Sequence, residues 1–165
     1  MNYYIKWFIN SHQLDRIDEI IKLSGDYQKK ISKLKEPIDR LEIITNKFLI
    51  ESNKSLKVSG EGEIKILVQK NKKTHANSIF ELSSGERQII IMLAHLIFSS
   101  TKTKSPIFVI DEPELSLHIT WQEIFVDSLL AANPNTQYIL ATHSPSIIAK
   151  VEREMFCEDL TKKKN

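Results

Sequence analysis

The sequence contains few residues of several kinds, and each shortage excludes a class of protein. Its 165 residues include a single cysteine, Cys157, so no internal disulfide can form, which favours a reducing compartment. No apolar run approaches the roughly 20 residues that a membrane-spanning helix needs, and the N-terminus has no signal-peptide pattern. The length suits one domain with a sizeable core. We therefore expect a soluble, cytoplasmic, single-domain protein.

Charge of either sign is also in little excess. The chain has 23 lysines and arginines against 21 acidic residues, a net charge of +2, which indicates no particular partner. Positive charge gathers locally in KNKK (70–73) and TKKK (161–164). Solvated surface lysines are the simpler interpretation of both runs. Direct DNA binding is the alternative, and it predicts an affinity that falls steeply with salt.

The N-terminal part of the chain has the pattern of a helix. Apolar residues recur at helical spacing up to Phe48, and the second half of this stretch carries a heptad stripe. Gly25 is expected to end one helix, and Pro37 to open another segment. Residues 1–50 are therefore predicted to be a helical arm. The stripe fits equally an arm that packs on its own domain and one that reaches a partner.

The remainder of the chain predicts an α/β fold. Two alternating segments around GEG (60–62) predict an antiparallel hairpin, and a polar loop is expected at 70–78. The nearly all-apolar stretch 84–100 predicts a buried helix. Short apolar runs at 106–110 and 137–141, with a helical pattern between them, predict a βαβ unit whose parallel strands are covered on both faces.

Side chains suited to catalysis follow both of these parallel strands. Asp111 and Glu112 come directly after the first strand, and His143 follows the second, so all three are expected at the carboxyl edge. Adjacent carboxylates are costly to ionise unless a cation joins them, and Mg²⁺ takes one or two carboxylates plus water and phosphates. Asp111 would then hold hydrated Mg²⁺ and Glu112 would deprotonate a water. His143 would donate a hydrogen bond to a terminal phosphate.

A serine-glycine segment, LSSGE (82–86), opens the predicted buried helix. Helix N–H groups and the positive end of the helix dipole favour an anion there, and Gly85 lets a backbone approach closely. Each feature also has a plain structural explanation, namely a turn with solvated acids, a loop histidine and a helix cap. Together they predict a nucleoside triphosphate site.

Four segments in order resemble the motifs of an ABC-type ATPase head. LSSGERQ resembles the signature motif, IFVIDEPE the Walker B motif, LSLH the D-loop and ILATHSP the switch-histidine segment. The spacing across 82–145 is similar to that of the SMC, RecF and OLD-like branch, which includes PtuA-type ATPases of Septu and retron anti-phage systems. His118 stands where transporter-type heads usually have aspartate, which favours the OLD and PtuA side.

The resemblance implies a fold and a function. Residues 51–165 would be the C-terminal half of a P-loop NTPase head, with parallel strands flanked by helices, behind a helical arm at 1–50. The activity implied is ATP hydrolysis with Mg²⁺ in a DNA-associated or anti-phage defence system. Two heads would form a two-fold dimer or part of a larger oligomer, with a nuclease and DNA as further partners.

The resemblance also implies a role for each residue of the site. Asp111 would be the metal-binding aspartate, Glu112 the catalytic base and His143 the γ-phosphate sensor. The residues implied to contact the nucleotide bound by a second subunit are those of the signature motif, Ser83, Ser84, Gly85 and Glu86.

The phosphate-binding loop of such a head has no counterpart in this sequence. No G-x-x-x-x-G-K-[ST] occurs around any of the four glycines. We expect a Walker A-bearing N-terminal half to supply it, so the chain would be a fragment, a truncated product or half of a split ATPase. The alternative function is a non-catalytic module that docks on a complete ATPase and regulates it. Such a module would bind no ATP by itself.

Overall fold

The computed structural model separates into two compact units, Met1–Asp39 and Arg40–Asn165. The expected division into a helical arm at 1–50 and a head portion at 51–165 stays a prediction. The residues described are 3–70, 73–99, 106–148 and 156–158, with the backbone alone at 5–13 and 15. The lysine run at 161–164 and part of the run at 70–73 lie outside them.

The first element is one long helix, α1, which spans Tyr3–Leu49. The predicted helix is therefore present, but the expected breaks are wrong, because both Gly25 and Pro37 lie inside it. A single glycine costs only about 1 kcal/mol relative to alanine, and a long helix can absorb that cost. Within the first unit α1 exposes many large apolar side chains. Neither α1 nor any other described helix is apolar enough over a sufficient length to cross a membrane.

The last turns of α1 belong to the second unit and enter its core. Leu41, Ile44 and Phe48 are buried there, together with apolar residues of α2 (Ser84–Ser99) and α3 (Ile119–Ala132). Phe48 meets Trp121 of α3 edge to face, with ring centroids 5.7 Å apart. The C-terminal part of the heptad stripe thus packs on its own domain. Tyr27 and Leu34, which lie earlier in the stripe, are exposed. That this part of the arm reaches a partner stays a prediction.

An antiparallel sheet follows α1. Strands β1 (Lys54–Val58), β2 (Ile64–Lys70) and β3 (Lys73–Asn77) are arranged in that order, so the predicted hairpin is confirmed. The loop predicted at 70–78 is wrong, because most of it is β3. Every residue of β3 except the last is exposed. Its sequence, KTHAN, therefore lacks the apolar alternation by which a half-buried strand is recognised.

The free edge of β1 is covered by side chains of α1. Asn46 accepts a 2.6 Å hydrogen bond from the N–H of Leu56 and donates a 3.1 Å bond to its carbonyl. One turn earlier, Glu42 accepts from the N–H of Val58 at 2.6 Å and from the Lys57 ammonium at 2.7 Å. These contacts satisfy edge groups that could otherwise pair with another chain.

The second sheet has two parallel strands, β4 (Ile107–Asp111) and β5 (Gln137–Ala141), joined through α3. The predicted βαβ unit is therefore confirmed. The expectation that both faces are covered is wrong for the described residues. One face packs on the helices, but Ile107, Val109 and Ile139 on the other face are 62%, 68% and 48% exposed. Within the described ranges no element lies over that face.

Candidate functional site

The two predicted groups of catalytic residues lie at the same edge of the parallel sheet. Asp111, the last residue of β4, is in register with Ala141, the last residue of β5. The N–H of Glu112 donates a 2.8 Å hydrogen bond to the carbonyl of Ala141, which extends the pairing by one residue. His143 follows in the loop after β5. The structure thus brings Asp111, Glu112 and His143 to one end of the sheet.

The acid turn, residues 111–114, leaves β4 through an unusual backbone conformation. Glu112 has φ 46° and ψ 56°, the left-handed region that non-glycine residues adopt rarely. A 3₁₀ turn, Pro113–Ser116, begins immediately after it. Strained residues of this kind cluster at functional sites, where the surrounding structure holds them in place. Asp111 and Glu112 are both exposed.

The acid turn fits part of the ligand set of a magnesium ion. Neither Asp111 nor Glu112 makes a side-chain hydrogen bond or ion pair with another residue that the structure describes, so both carboxylates are accessible to a ligand. No group of three or more metal-ligating side chains occurs in the described ranges. Mg²⁺ takes one or two protein carboxylates together with water and phosphate oxygens, and the exposed carboxylate of Asp111 is a ligand of this type.

A third acid, Glu114, was given no role from the sequence. Its Oε1 accepts a 2.7 Å hydrogen bond from the N–H of His143, and its Oε2 accepts a 2.6 Å bond from the hydroxyl of Thr142. Burial raises the pKa of Glu114, but the hydrogen bonds from Thr142 and His143 outweigh it, so the pKa is lowered. The only sequence signal for this role is the extra acid in DEPE.

A second side chain holds the loop that contains His143. The hydroxyl of Ser144 donates a 2.6 Å hydrogen bond to Oε1 of Gln122, a buried residue of α3. The amide of Gln122 in turn donates a 3.0 Å bond to the carbonyl of Leu117. The loop after β5 is therefore tied through Gln122 to Leu117, the residue that follows the 3₁₀ turn.

The serine-glycine segment forms a reciprocal helix cap. The N–H of Glu86 donates to Oγ of Ser83 at 3.2 Å, and the N–H of Ser83 donates to Oε2 of Glu86 at 2.7 Å. This is a capping box at the start of α2. The plain structural explanation of the segment is thus borne out. Ser83 and Ser84 remain exposed, so their contact with a nucleotide stays a prediction.

The carboxylate of Glu86 faces the interior rather than solvent. Its side chain is 5% exposed, pairs with the Lys54 ammonium at 2.8 Å and accepts from Ser52 at 2.9 Å. Burial raises the pKa of Glu86, but the hydrogen bonds from Lys54, Ser83 and Ser52 together lower it by more, so the pKa lies below its ordinary value. The carboxylate of Glu86 thus holds the start of α2 to Ser52 and Lys54, and the expected contact of this residue with a nucleotide stays a prediction.

Gly85 lies where the start of α2 approaches the 3₁₀ turn after β4. A Cβ atom at this position would lie 2.8 Å from the carbonyl oxygen of Ser116 and 3.7 Å from the Trp121 ring. A carbonyl oxygen of the backbone cannot move aside as a flexible side chain can. Glycine is thus required by packing within the chain, whether or not a phosphate also approaches it.

We expect Gly85→Ala to destabilise the protein by about 2 kcal/mol, because overpacking against a fixed backbone forces a local shift. Urea unfolding followed by circular dichroism measures the loss. The matched control is Gly60→Ala, since a Cβ at Gly60 meets no atom within 4 Å. Equal unfolding midpoints for the two variants would contradict the close contact with Ser116.

The chain is similar to two proteins that are named probable retron ATPases. The chain is 37% identical to the Retron Vc95 probable ATPase of Vibrio cholerae serotype O1 biovar El Tor, over 47% of this chain and 17% of that protein. It is 27% identical to the Retron Ec83 probable ATPase of Escherichia coli, over 81% of this chain and 28% of that protein. The chain therefore spans less than a third of the length of either relative.

One solved structure and one family profile complete the comparison. The crystal structure of an SMC head bound to the C-winged helix domain of ScpA aligns with a TM-score of 0.47 and 19% identity, over 67% of this chain and 35% of that one. The family described as "AAA domain, putative AbiEii toxin, Type IV TA system" matches residues 4–149. Because that match extends over most of the sequence, the chain belongs to this AAA-domain family.

Proposed function

We propose that this chain is the C-terminal portion of an ABC/OLD-like ATPase head that binds and hydrolyses ATP. The observation that carries the proposal is the register of Asp111 with Ala141, because it brings the acid turn and His143 to one edge of a parallel sheet. Ligands bind at the carboxyl edge in open α/β sheets. Membership of an AAA-domain family and two relatives named probable ATPases support the same activity.

Each of the three residues at the carboxyl edge of the parallel sheet has a separate role in the proposed reaction. Asp111 would hold hydrated Mg²⁺, and this ion would neutralise charge on the phosphates. Glu112, which is exposed, orients the attacking water and accepts its proton. His143 donates a hydrogen bond to the terminal phosphate, where negative charge develops in the transition state.

The remaining parts of the site come from neighbouring polypeptide. A Walker A-bearing N-terminal half supplies the phosphate loop, and the exposed apolar face of β4 and β5 is a suitable surface for it to cover. Ser83, Ser84 and the backbone at Gly85 face the nucleotide of a second head in a two-fold pair. A role in anti-phage defence, with DNA or a nuclease as partner, belongs to this proposal through the likeness to retron ATPases.

The test is reconstitution with a Walker A-bearing half, followed by ATP hydrolysis as a function of Mg²⁺ concentration. We expect Mg²⁺-dependent turnover, and we expect Asp111→Asn to raise the Mg²⁺ requirement about 100-fold. The reason is that asparagine lacks the negative charge that attracts the dication; because Asp111 is exposed, water screens this attraction, and a loss of about 3 kcal/mol corresponds to the 100-fold change. Glu123→Gln removes the charge of an exposed acid on α3 and serves as the control.

The alternative function makes the opposite prediction. A non-catalytic module that docks on a complete ATPase would leave the partner's hydrolysis unaltered when Asp111 is replaced, and the chain would bind no ATP. An Mg²⁺ requirement that is identical in the wild type and in Asp111→Asn therefore rules out the assignment of the metal site.

A further inference from the structure

We propose that Glu114 is a positioning residue that holds the switch loop, residues 142–144, against the acid turn and so sets the location of His143 relative to Glu112. This inference rests on the proposed function for its catalytic meaning. Its structural content, that the backbone of His143 is held by the carboxylate of Glu114, stands independently of any activity.

The geometry shows a bridge that uses both oxygens of one carboxylate. Oε1 of Glu114 accepts from the N–H of His143 at 2.7 Å, and Oε2 accepts from the hydroxyl of Thr142 at 2.6 Å. Hydrogen bonds to an ionised acceptor are shorter and roughly twice as strong as neutral ones. The bond from the N–H of Glu112 to the carbonyl of Ala141 joins the acid turn to the end of β5, directly before the switch loop.

The bridge is specific for a carboxylate. An ionised glutamate only accepts hydrogen bonds, which matches the two donors that it meets. A glutamine could accept from His143, but its NH₂ group would face the hydroxyl of Thr142. The hydroxyl would have to accept from that NH₂ group in addition to the 3.0 Å bond from the N–H of Ser144, and its own proton would lose the carboxylate acceptor. The lowered pKa of Glu114 is consistent with a bridge that is ionised at neutral pH.

The loop is held on the other side of His143 as well. Ser144 donates to Gln122, which is anchored to the carbonyl of Leu117. The residues that flank His143 are therefore fixed by two different elements, while the imidazole itself remains exposed. This arrangement fixes the backbone of a phosphate-sensing residue and leaves its side chain accessible to substrate. Support from surrounding hydrogen bonds is what a preorganised site requires.

The first experiment measures the hydrogen exchange of the His143 amide by NMR in the wild type and in variants. Glu114→Ala should speed that exchange about 10- to 100-fold, the range expected for loss of a hydrogen bond to a charged group. Thr142→Val should give a smaller increase, because it removes one bond and leaves the other. Thr142→Ser should restore slow exchange, since it keeps the hydroxyl.

The control for exchange is Glu123→Ala, which removes an exposed glutamate of α3. If Glu114→Ala does not fold, Glu114→Gln gives a milder comparison: it keeps an acceptor for the N–H of His143 but loses the negative charge, so a smaller increase in exchange is expected. Unchanged exchange at His143 in these variants would overturn the inference, because the amide would then not depend on the carboxylate.

The second experiment measures hydrolysis in the reconstituted ATPase. Glu114→Ala should lower kcat, and the double variant with His143→Ala should lose no more than His143→Ala alone, because Glu114 acts through His143. Additive losses would show that Glu114 acts on something else and would refute the positioning role. If the reconstituted wild type hydrolyses no ATP, the proposed function fails, and the exchange measurement still decides whether Glu114 holds the loop.

Discussion

Glu112→Gln is expected to reduce ATP turnover by about 10²- to 10⁴-fold in the reconstituted ATPase, the range that loss of a positioned general base produces. Glutamine keeps the shape of glutamate but cannot accept the proton of the attacking water. Nucleotide binding should persist, since Asp111 and His143 are unchanged. Without hydrolysis, the ATP-bound pair of heads should last longer. Single-turnover phosphate release and ATP-dependent association in gel filtration measure the two effects.

The backbone at this position makes the substitution a clean test. Glu112 is in the left-handed region, and glutamine has the same unbranched Cβ, so the strain of the turn is the same in both. The matched control is Glu123→Gln, which should leave turnover unaltered. Unchanged hydrolysis in Glu112→Gln would mean that another group accepts the proton, and the assignment of the base would have to be abandoned.

The part of the site that could be predicted from the sequence depends on rules for parallel strands. Two short apolar runs separated by a helical pattern indicate a βαβ unit, and residues that follow such strands share one edge. That reasoning was sufficient to bring Asp111 and His143 together, as the register of β4 and β5 confirms. No knowledge of long-range contacts was needed, because the topology of the unit is nearly fixed.

The supporting contacts could not be predicted, because they join segments that are far apart in sequence. Glu114 reaches a residue 28 positions away, and Gln122 reaches one 22 positions away. In the sequence, nothing distinguishes Glu114 from a solvated acidic residue of a turn. The capping box between Ser83 and Glu86 is local and was recognisable, but the ion pair of Glu86 with Lys54 spans 32 positions and was not.

The errors in the fold have a common physical cause. Patterns of apolar residues in a sequence indicate burial. They therefore miss strands that are exposed, and they predict covered sheet faces even where the described residues leave a face open. Strand β3 is exposed and polar, and it was taken for a loop. The runs of β4 and β5 are apolar on both faces, although the described residues cover only one. Gly25 and Pro37 do not interrupt α1, because helix formation is cooperative and the many residues on either side favour its continuation.

Glu86→Ala is expected to lower the free energy of unfolding by about 3 kcal/mol. The variant loses a reciprocal cap, worth about 1 kcal/mol, and leaves Lys54 without its buried partner, which costs more. Because the side chain of Lys54 is 22% exposed, water can solvate part of the unpaired charge, so the loss should stay at the lower end for a buried pair. Urea unfolding at neutral pH measures it.

The pH dependence of stability separates the charge of Glu86 from its shape. The pKa of Glu86 in the folded protein lies below the ordinary value of 4.5, so its stabilising contribution is complete above that value and is lost as the pH falls through the folded pKa. Glu86→Gln keeps a cap acceptor but carries no titrating group. Between neutral pH and pH values below 4.5, the wild type should therefore lose more stability than Glu86→Gln. Equal losses would show that the Lys54 pair contributes nothing through its charge, and the start of α2 would then be held by the serine cap alone.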